Sequence, residues 1–226
     1  MSERVTTEPT SQGSAISLVV GIGVSAGGLE ALERLFDQMP EKTGCAFIVV
    51  QHLSPDFKSV LDELIARRTK IPVILARDNM VLEPDTIVLN TPKKQLMVTG
   101  GRIYLTDKDP TELVTYPIDM FFRSLAHEGK RAVAIVLSGT GSDGSRGLRD
   151  VHQSGGSVLV QSIESAAFDG MPQSAIETGV VDRILSPEEM PDALLERIKI
   201  GKIAPVPPET IPEGEPGMGL IVRLLR

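Results

Sequence analysis

Residues 17–28 read SLVVGIGVSAGG. An apolar, β-branched run passes into small residues, the pattern of a buried strand entering a tight turn. Two templates fit that turn. Gly21-x-Gly23-x-x-Ala26 follows the dinucleotide fingerprint, whose glycines let backbone approach a pyrophosphate. Gly23-x-Ser25-x-Gly27 follows the nucleophile elbow, which exposes a serine between a strand and a helix. On the first reading the turn holds a phosphate; on the second it attacks a carbonyl.

Outward from this stretch the chain alternates strand and helix patterns. After the strand at 17–23, Leu29, Leu32, Leu35, Phe36 and Met39 repeat at helical spacing. CAFIVV (45–50) is a second strand, Phe57, Val60, Leu61, Leu64 and Ile65 form one helical stripe, and PVILA (72–76) is a third strand. Residues 77–106 interrupt the rhythm. IVLN (87–90), QLMV (95–98) and IYLT (103–106) are short, and Thr99-Gly100-Gly101-Arg102 joins the last two, which predicts a small antiparallel hairpin appendage.

Alternation then resumes with a helix in PIDMFFRSLAHEG, a strand in RAVAIVLSG and a helix in DGSRGLRDVHQSGG. SVLVQ, MPQSAIETG, VDRIL and SPEEMPDALLERI continue as strand, helix, strand and helix, with Ser186 and Glu189 as a capping box. This order predicts an α/β fold, a doubly wound and mainly parallel sheet with helices on both faces. Residues 1–14 read as a disordered tail, 15–200 as one catalytic domain, and 201–226 as a proline-rich linker leading into a further helix.

Composition narrows the function classes. A net charge of −7 argues against general nucleic-acid binding, which needs a basic surface. No window approaches the ~18 apolar residues of a membrane span, and the polar N-terminus lacks the apolar core of a signal peptide. The single cysteine, Cys45, excludes an internal disulfide and reads as a small buried side chain. These features favour the cytoplasm.

The phosphate reading wants an acid at the end of the second strand, for the ribose. That strand ends Val49-Val50-Gln51-His52, and Glu41 precedes it. The nucleophile reading wants a base and a group to orient it. His127 and His152 sit late in helices and read as caps. His52 ends the strand expected beside the one that ends at Ser25. The next glycine-rich turn, Gly139 to Ser145, contains one carboxylate, Asp143. It is either the N-cap of the following helix or the third member of a triad. The glycines around it suit exposed amide donors. The order Ser25, His52, Asp143 differs from that of the α/β-hydrolases.

GIGVSAGGLEAL, VVQHLSPDF, LSGTGSDGSRGL and FDGMPQSAIETGVVDRIL together resemble four motif blocks of the catalytic domain of chemotaxis protein-glutamate methylesterases. The resemblance runs from about Ser17 to Ile198, and PIDMFFRSLA is similar to a further family segment. It implies hydrolysis of glutamyl methyl esters, and possible glutamine deamidation, on the cytoplasmic helices of chemoreceptors. It makes Ser25 the nucleophile, His52 the base, Asp143 the orienting carboxylate and the Thr140 amide the oxyanion donor. Ala26, Gly27, Gly141 and Met171 then lie beside the substrate, and neither metal nor organic cofactor is needed.

Two positions depart from the family: Thr140 replaces a usual methionine, and Ala26 a common threonine that supports the histidine. These departures keep open an alternative, a docking or sensory module with the same fold and no turnover. On the esterase reading, Gly21 and Gly23 give room for a sharp turn and a substrate backbone. About sixteen residues before the first strand are too few for the family's receiver domain of about 120. The tail ending MGLIVRLLR is similar to the entry into a receptor methyltransferase, so a fused methylesterase–methyltransferase protein is expected.

Overall fold

The run LVVGIGV is extended and buried on both faces as β1 (Leu18–Val24). A computed structural model of the chain describes residues 16–51, 61–107 and 116–201. After β1 come α1 (Gly28–Asp37), β2 (Cys45–Gln51), α2 (Leu61–Ala66) and β3 (Val73–Leu75). The middle of the chain holds β4 (Met80–Val81), β5 (Thr86–Leu89), β6 (Lys94–Thr99) and β7 (Arg102–Asp107). The second half runs α3 (Pro117–Leu125), β8 (Ala132–Val136), α4 (Ser145–Gln153), β9 (Ser157–Gln161), α5 (Gly170–Ile176), β10 (Arg183–Leu185) and α6 (Met190–Gly201). Phe57, Val60, His52, the 1–14 tail and residues 202–226 of the expected linker lie outside the described residues.

Among the described residues, seven strands form one sheet in the order β10-β9-β8-β1-β2-β5-β3, every pair parallel. Leu18, Val20, Ile22 and Val24 face Leu32, Leu35 and Phe36 of α1 and Leu194 of α6. Val19 shares the other core with Phe121, Phe122 and Leu125 of α3, Leu148 and Val151 of α4, and Ala175 of α5. The doubly wound expectation holds. Cys45 is wholly buried there, which pushes its thiol up to about 11, out of nucleophile range.

The small antiparallel sheet is also present, in the order β4-β7-β6. Its membership differs from expectation in one strand. The sequence places residues 87–90 in the appendage, yet Thr86–Leu89 pairs parallel with both β2 and β3. The reason is burial on two faces. Ile87 and Leu89 enter one core while Val88 enters the other, which only the interior of a covered sheet supplies. The small sheet is bonded to α3 and the turn after it: the Ser124 hydroxyl accepts the Val98 N–H (3.0 Å), and Glu128 accepts that of Gly101 (2.9 Å).

Gly21 and Gly23 lie inside β1, not at the turn. A Cβ on Gly21 would stand 2.7 Å from Phe121 and Leu125, and one on Gly23 would stand 2.5 Å from Ile118. The two glycines make space for α3, not for a phosphate or a substrate backbone. A strand-interior glycine costs roughly 0.5–1 kcal/mol relative to alanine. Each large apolar side chain that α3 buries returns about 1.5–3 kcal/mol, so close seating wins.

That seating brings the N-termini of α3 and α4 face to face, and a carboxylate from each stretch crosses to the other. Asp143 accepts the N–H of Ile118 (3.1 Å) and of Asp119 (2.9 Å). Asp119 accepts the N–H of Arg146 (2.8 Å) and of Gly147 (3.0 Å). Four amides in the first turns of two helices are satisfied, and negative charge sits at both positive helix ends. Burial raises the Asp119 carboxyl above its ordinary value. The Gly147 N–H bond opposes this and the charge of Asp143 adds to it.

Gly23→Ala is expected to lower the unfolding free energy by about 1–3 kcal/mol, as overpacking does; an unchanged urea midpoint would contradict the seating of α3. Asp119→Asn keeps an acceptor oxygen and is expected within about 1 kcal/mol of wild type near pH 7, whereas Asp119→Ala strands two amides and loses about 1–3 kcal/mol. A raised carboxyl value means that the fold holds the proton more tightly than the unfolded chain does. That stabilisation is complete below the ordinary value of 3.8 and is lost as pH rises through the raised one. Urea melts across that range should therefore show wild type declining relative to Asp119→Asn; a constant difference would refute the assigned cause.

Candidate active site

β1 lies between β2 and β8, the point where the winding of the sheet reverses. The carboxyl ends of strands flanking such a point form the usual crevice for ligands in open α/β sheets. Ser25 follows β1 directly, and its N–H donates to the Ser138 carbonyl of the neighbouring segment (3.0 Å). The Gly28 N–H returns to the Ser25 carbonyl (3.0 Å), closing a four-residue turn. Gly27 is its third residue, at φ 70° and ψ 0°, the left-handed geometry that a type II turn requires there. A Cβ on Gly27 would also meet the Ser138 hydroxyl at 2.7 Å, Ala167 at 2.9 Å and the Phe168 ring at 3.0 Å. Ser25, Ala26 and Gly27 are all half-buried. The dinucleotide fingerprint is thus out of register with the bend, and the elbow template matches it.

The segment after β8 forms the opposite wall. The Ser138 hydroxyl donates to the Ala26 carbonyl (2.8 Å) and accepts the Phe168 N–H (3.0 Å). The Ser138 N–H donates to Gln161 (2.8 Å), whose amide group donates to the Ser165 carbonyl (2.9 Å), which Arg34 also reaches (3.2 Å). The elbow is therefore tied through β8 and β9 back to α1. Gly139 sits so close to Ser25 that its missing Cβ would lie 2.9 Å from the serine Cβ.

Met171 is buried against Gly139, to whose carbonyl its N–H donates (2.8 Å), and it supports this loop from beneath. Thr140 and Gly141 are exposed, and among the described residues the Thr140 N–H meets no acceptor. Asp143 is buried, with its two oxygens oriented by the α3 amides. A carboxylate offers about four acceptor positions, so these two bonds orient it without exhausting it. The local rule offered Asp143 as cap of the helix that follows it; it caps α3 instead, and Asp119 serves α4.

Ser25, Ala26, Gly27, Thr140, Gly141, Asp143 and Met171 thus come together at one edge of the sheet. His52 lies outside the described residues. It follows Gln51, which pairs with Val24 in the β1–β2 register, so the chain leaves β2 level with the start of the elbow. His127 and His152 are exposed near helix ends, as expected. Among the described residues, no group of three or more His, Cys, Asp or Glu could hold a metal ion. None of the described helices is long and apolar enough to cross a membrane.

Three participants escaped the sequence reading. Ser138 and Gln161 carried a signal, a polar side chain ending a buried strand, which is costly unless bonded. Phe168 is 47% exposed beside the elbow, its backbone held through Ser138 and by the Gly139 N–H (3.0 Å).

A family model described as CheB methylesterase matches residues 20–194. A protein-glutamate methylesterase/protein-glutamine glutaminase of Anaeromyxobacter dehalogenans is 35% identical over 78% of the chain, and one of Pseudomonas aeruginosa is 34% identical over 85%. The chain spans 52% and 58% of their lengths, about half of each. An uncharacterized 104.1 kDa protein of Rhodobacter capsulatus is 44% identical over 62% of the chain but only 15% of its own length. The crystal structure of the Thermotoga maritima CheB methylesterase catalytic domain superposes with a TM-score of 0.72 at 28% identity, covering 79% of this chain and 97% of that one. The serine turn after β1, the reversed sheet winding and the family match agree along one stretch of chain, and the chain belongs to the CheB methylesterase family.

Proposed function

We propose that the chain hydrolyses glutamyl methyl esters on a sensory protein of the chemoreceptor kind. One observation carries the reading: Ser25 sits on a tight turn at the winding reversal, against the loop that holds Asp143. Ser25 Oγ attacks the ester carbonyl as His52 takes its proton. Asp143, held by the α3 amides, orients that imidazole and stabilises its charge. The developing oxyanion accepts the Thr140 N–H. The imidazolium returns the proton to the leaving oxygen, methanol departs, and water hydrolyses the acyl-enzyme by the same route. The donor at Thr140 is a backbone amide, so threonine serves as well as methionine. Glutamine deamidation follows the same path, with ammonia leaving.

The partner is a methylated cytoplasmic helix of a chemoreceptor or related sensory protein. A methyltransferase following this domain belongs to the same proposal; the Rhodobacter protein is one case of a similar domain within a much longer chain.

Ser25→Ala is expected to reduce methanol release from methylated receptor fragments by about 10⁴-fold or more, without altering the unfolding midpoint. Residual wild-type turnover would exclude Ser25 as nucleophile. A fluorophosphonate probe should label wild type at Ser25 and spare Ser25→Ala; an unlabelled wild type would favour the docking module.

A further inference from the structure

A cleft of about 640 Å³ opens beside the candidate site, lined by Arg123, Ser142, Ser145, Arg146, Arg149, Ser174, Glu177 and Thr178. It starts at the loop that carries Asp143 and runs along α4. Ser174 joins its floor to the loop by donating to the Gly141 carbonyl (3.3 Å). The chain has 30 acidic and 23 basic side chains, yet this lining carries three guanidiniums and one carboxylate. We propose that the cleft is a docking groove for an acidic polypeptide segment, with Arg146 and Arg149 as its recognition side chains.

The guanidiniums are set up for this. The Arg146 guanidinium lies over the Tyr116 ring, 5.1 Å from its centre, a cation–π contact that restrains the side chain. Arg149 pairs with no carboxylate among the described residues. Arg123 is the weaker contributor, since its Nε is 3.6 Å from Asp150. The carboxylate of Glu177 accepts a bond from Gln173 (2.8 Å). Ser145, Ser174 and Thr178 already donate their hydroxyl protons to backbone carbonyls. Anion recognition therefore falls to the arginines.

Volume and spacing favour a segment over a single anion. At about 640 Å³ the cleft lies within the range of about 300–1,000 Å³ typical of ligand pockets. Arg146 and Arg149 lie on one face of α4, about 4.5 Å apart along its axis. A substrate chain attacked at Ser25 and continuing past the loop that carries Asp143 would run beside this lining. The location of the ester rests on the function proposed above; the binding of acidic segments does not.

The test is fluorescence anisotropy with helical peptides of about 20 residues, glutamate-rich or with those glutamates replaced by glutamine. Wild type and Ser25→Ala should both bind the glutamate peptide at least about tenfold tighter at ~0.01 M salt, a preference that shrinks steeply as the Debye length falls. The double variant Arg146→Glu/Arg149→Glu should lose that preference, and Arg146→Lys/Arg149→Lys should keep most of it. Lys199→Glu on α6, a reversal of the same kind elsewhere, should leave it intact.

Equal affinity for the two peptides, or an unaffected double reversal, overturns the proposal. Displacement of the peptide by inorganic phosphate at matched ionic strength also overturns it, assigning the cleft to a single anion. Methanol release with equal KM for glutamate- and glutamine-flanked esters would refute the groove and spare the esterase. Peptide binding without methanol release would do the reverse.

Discussion

Everything at the site depends on how near α3 approaches β1. Two residues without side chains allow Phe121, Leu125 and Ile118 to press on the strand itself. Nothing larger fits between the layers. Because α3 lies this deep, its first turn arrives level with the loop after β8. Its amides then hold Asp143, and its Asp119 holds the first turn of α4. A packing distance in the core is thereby converted into the placement of a carboxylate at the rim. Two helix N-termini close together would repel as bare dipole ends; the crossed carboxylates turn that repulsion into mutual attachment.

The other wall is held by a different device. One hydroxyl, that of Ser138, bonds both the serine turn at Ala26 and the separate segment at Phe168. Glycine at 27 and 139 lets the two segments meet almost backbone to backbone. Such contacts leave little freedom for the serine, and under the proposed mechanism a fixed attacking group reaches its target without a reorganisation cost at the moment of reaction. The tie runs on through Gln161 and Ser165 to Arg34, so rigidity is drawn from the opposite helical layer.

The sequence disclosed the features that local physics determines. Strand and helix periods marked nearly every element, and Ser25 stood out because a turn of small residues follows a buried strand. What stayed hidden depends on distant partners. Gly21 and Gly23 read as open space because the residues that fill it come about a hundred positions later, on α3. Residues 87–90 read as part of the small appendage because their length is that of a short strand, while the two buried faces of Thr86–Leu89 exist only after β2 and β3 flank it. Asp143 read as a cap of its own helix because capping rules are local, and the exchange with Asp119 is not. Ser138 and Phe168 were passed over because their roles lie in contacts with the elbow more than a hundred residues upstream. The signal they did carry, polarity at the end of a buried strand and an aromatic in a polar turn, was small.

The strand order also has a consequence for how the chain is made. β1 is the centre of the finished sheet, but its neighbour on one side is β8, which is synthesised last of the three. Until Ala132–Val136 emerges, this fully buried strand stands at an open edge with its ladder groups unpaired on that side. Such an edge invites pairing with another chain. The same arrangement divides the site between two halves of the polypeptide, with the serine made early and the carboxylate late. The strand that closes the vulnerable edge also leads directly into the loop that carries Asp143.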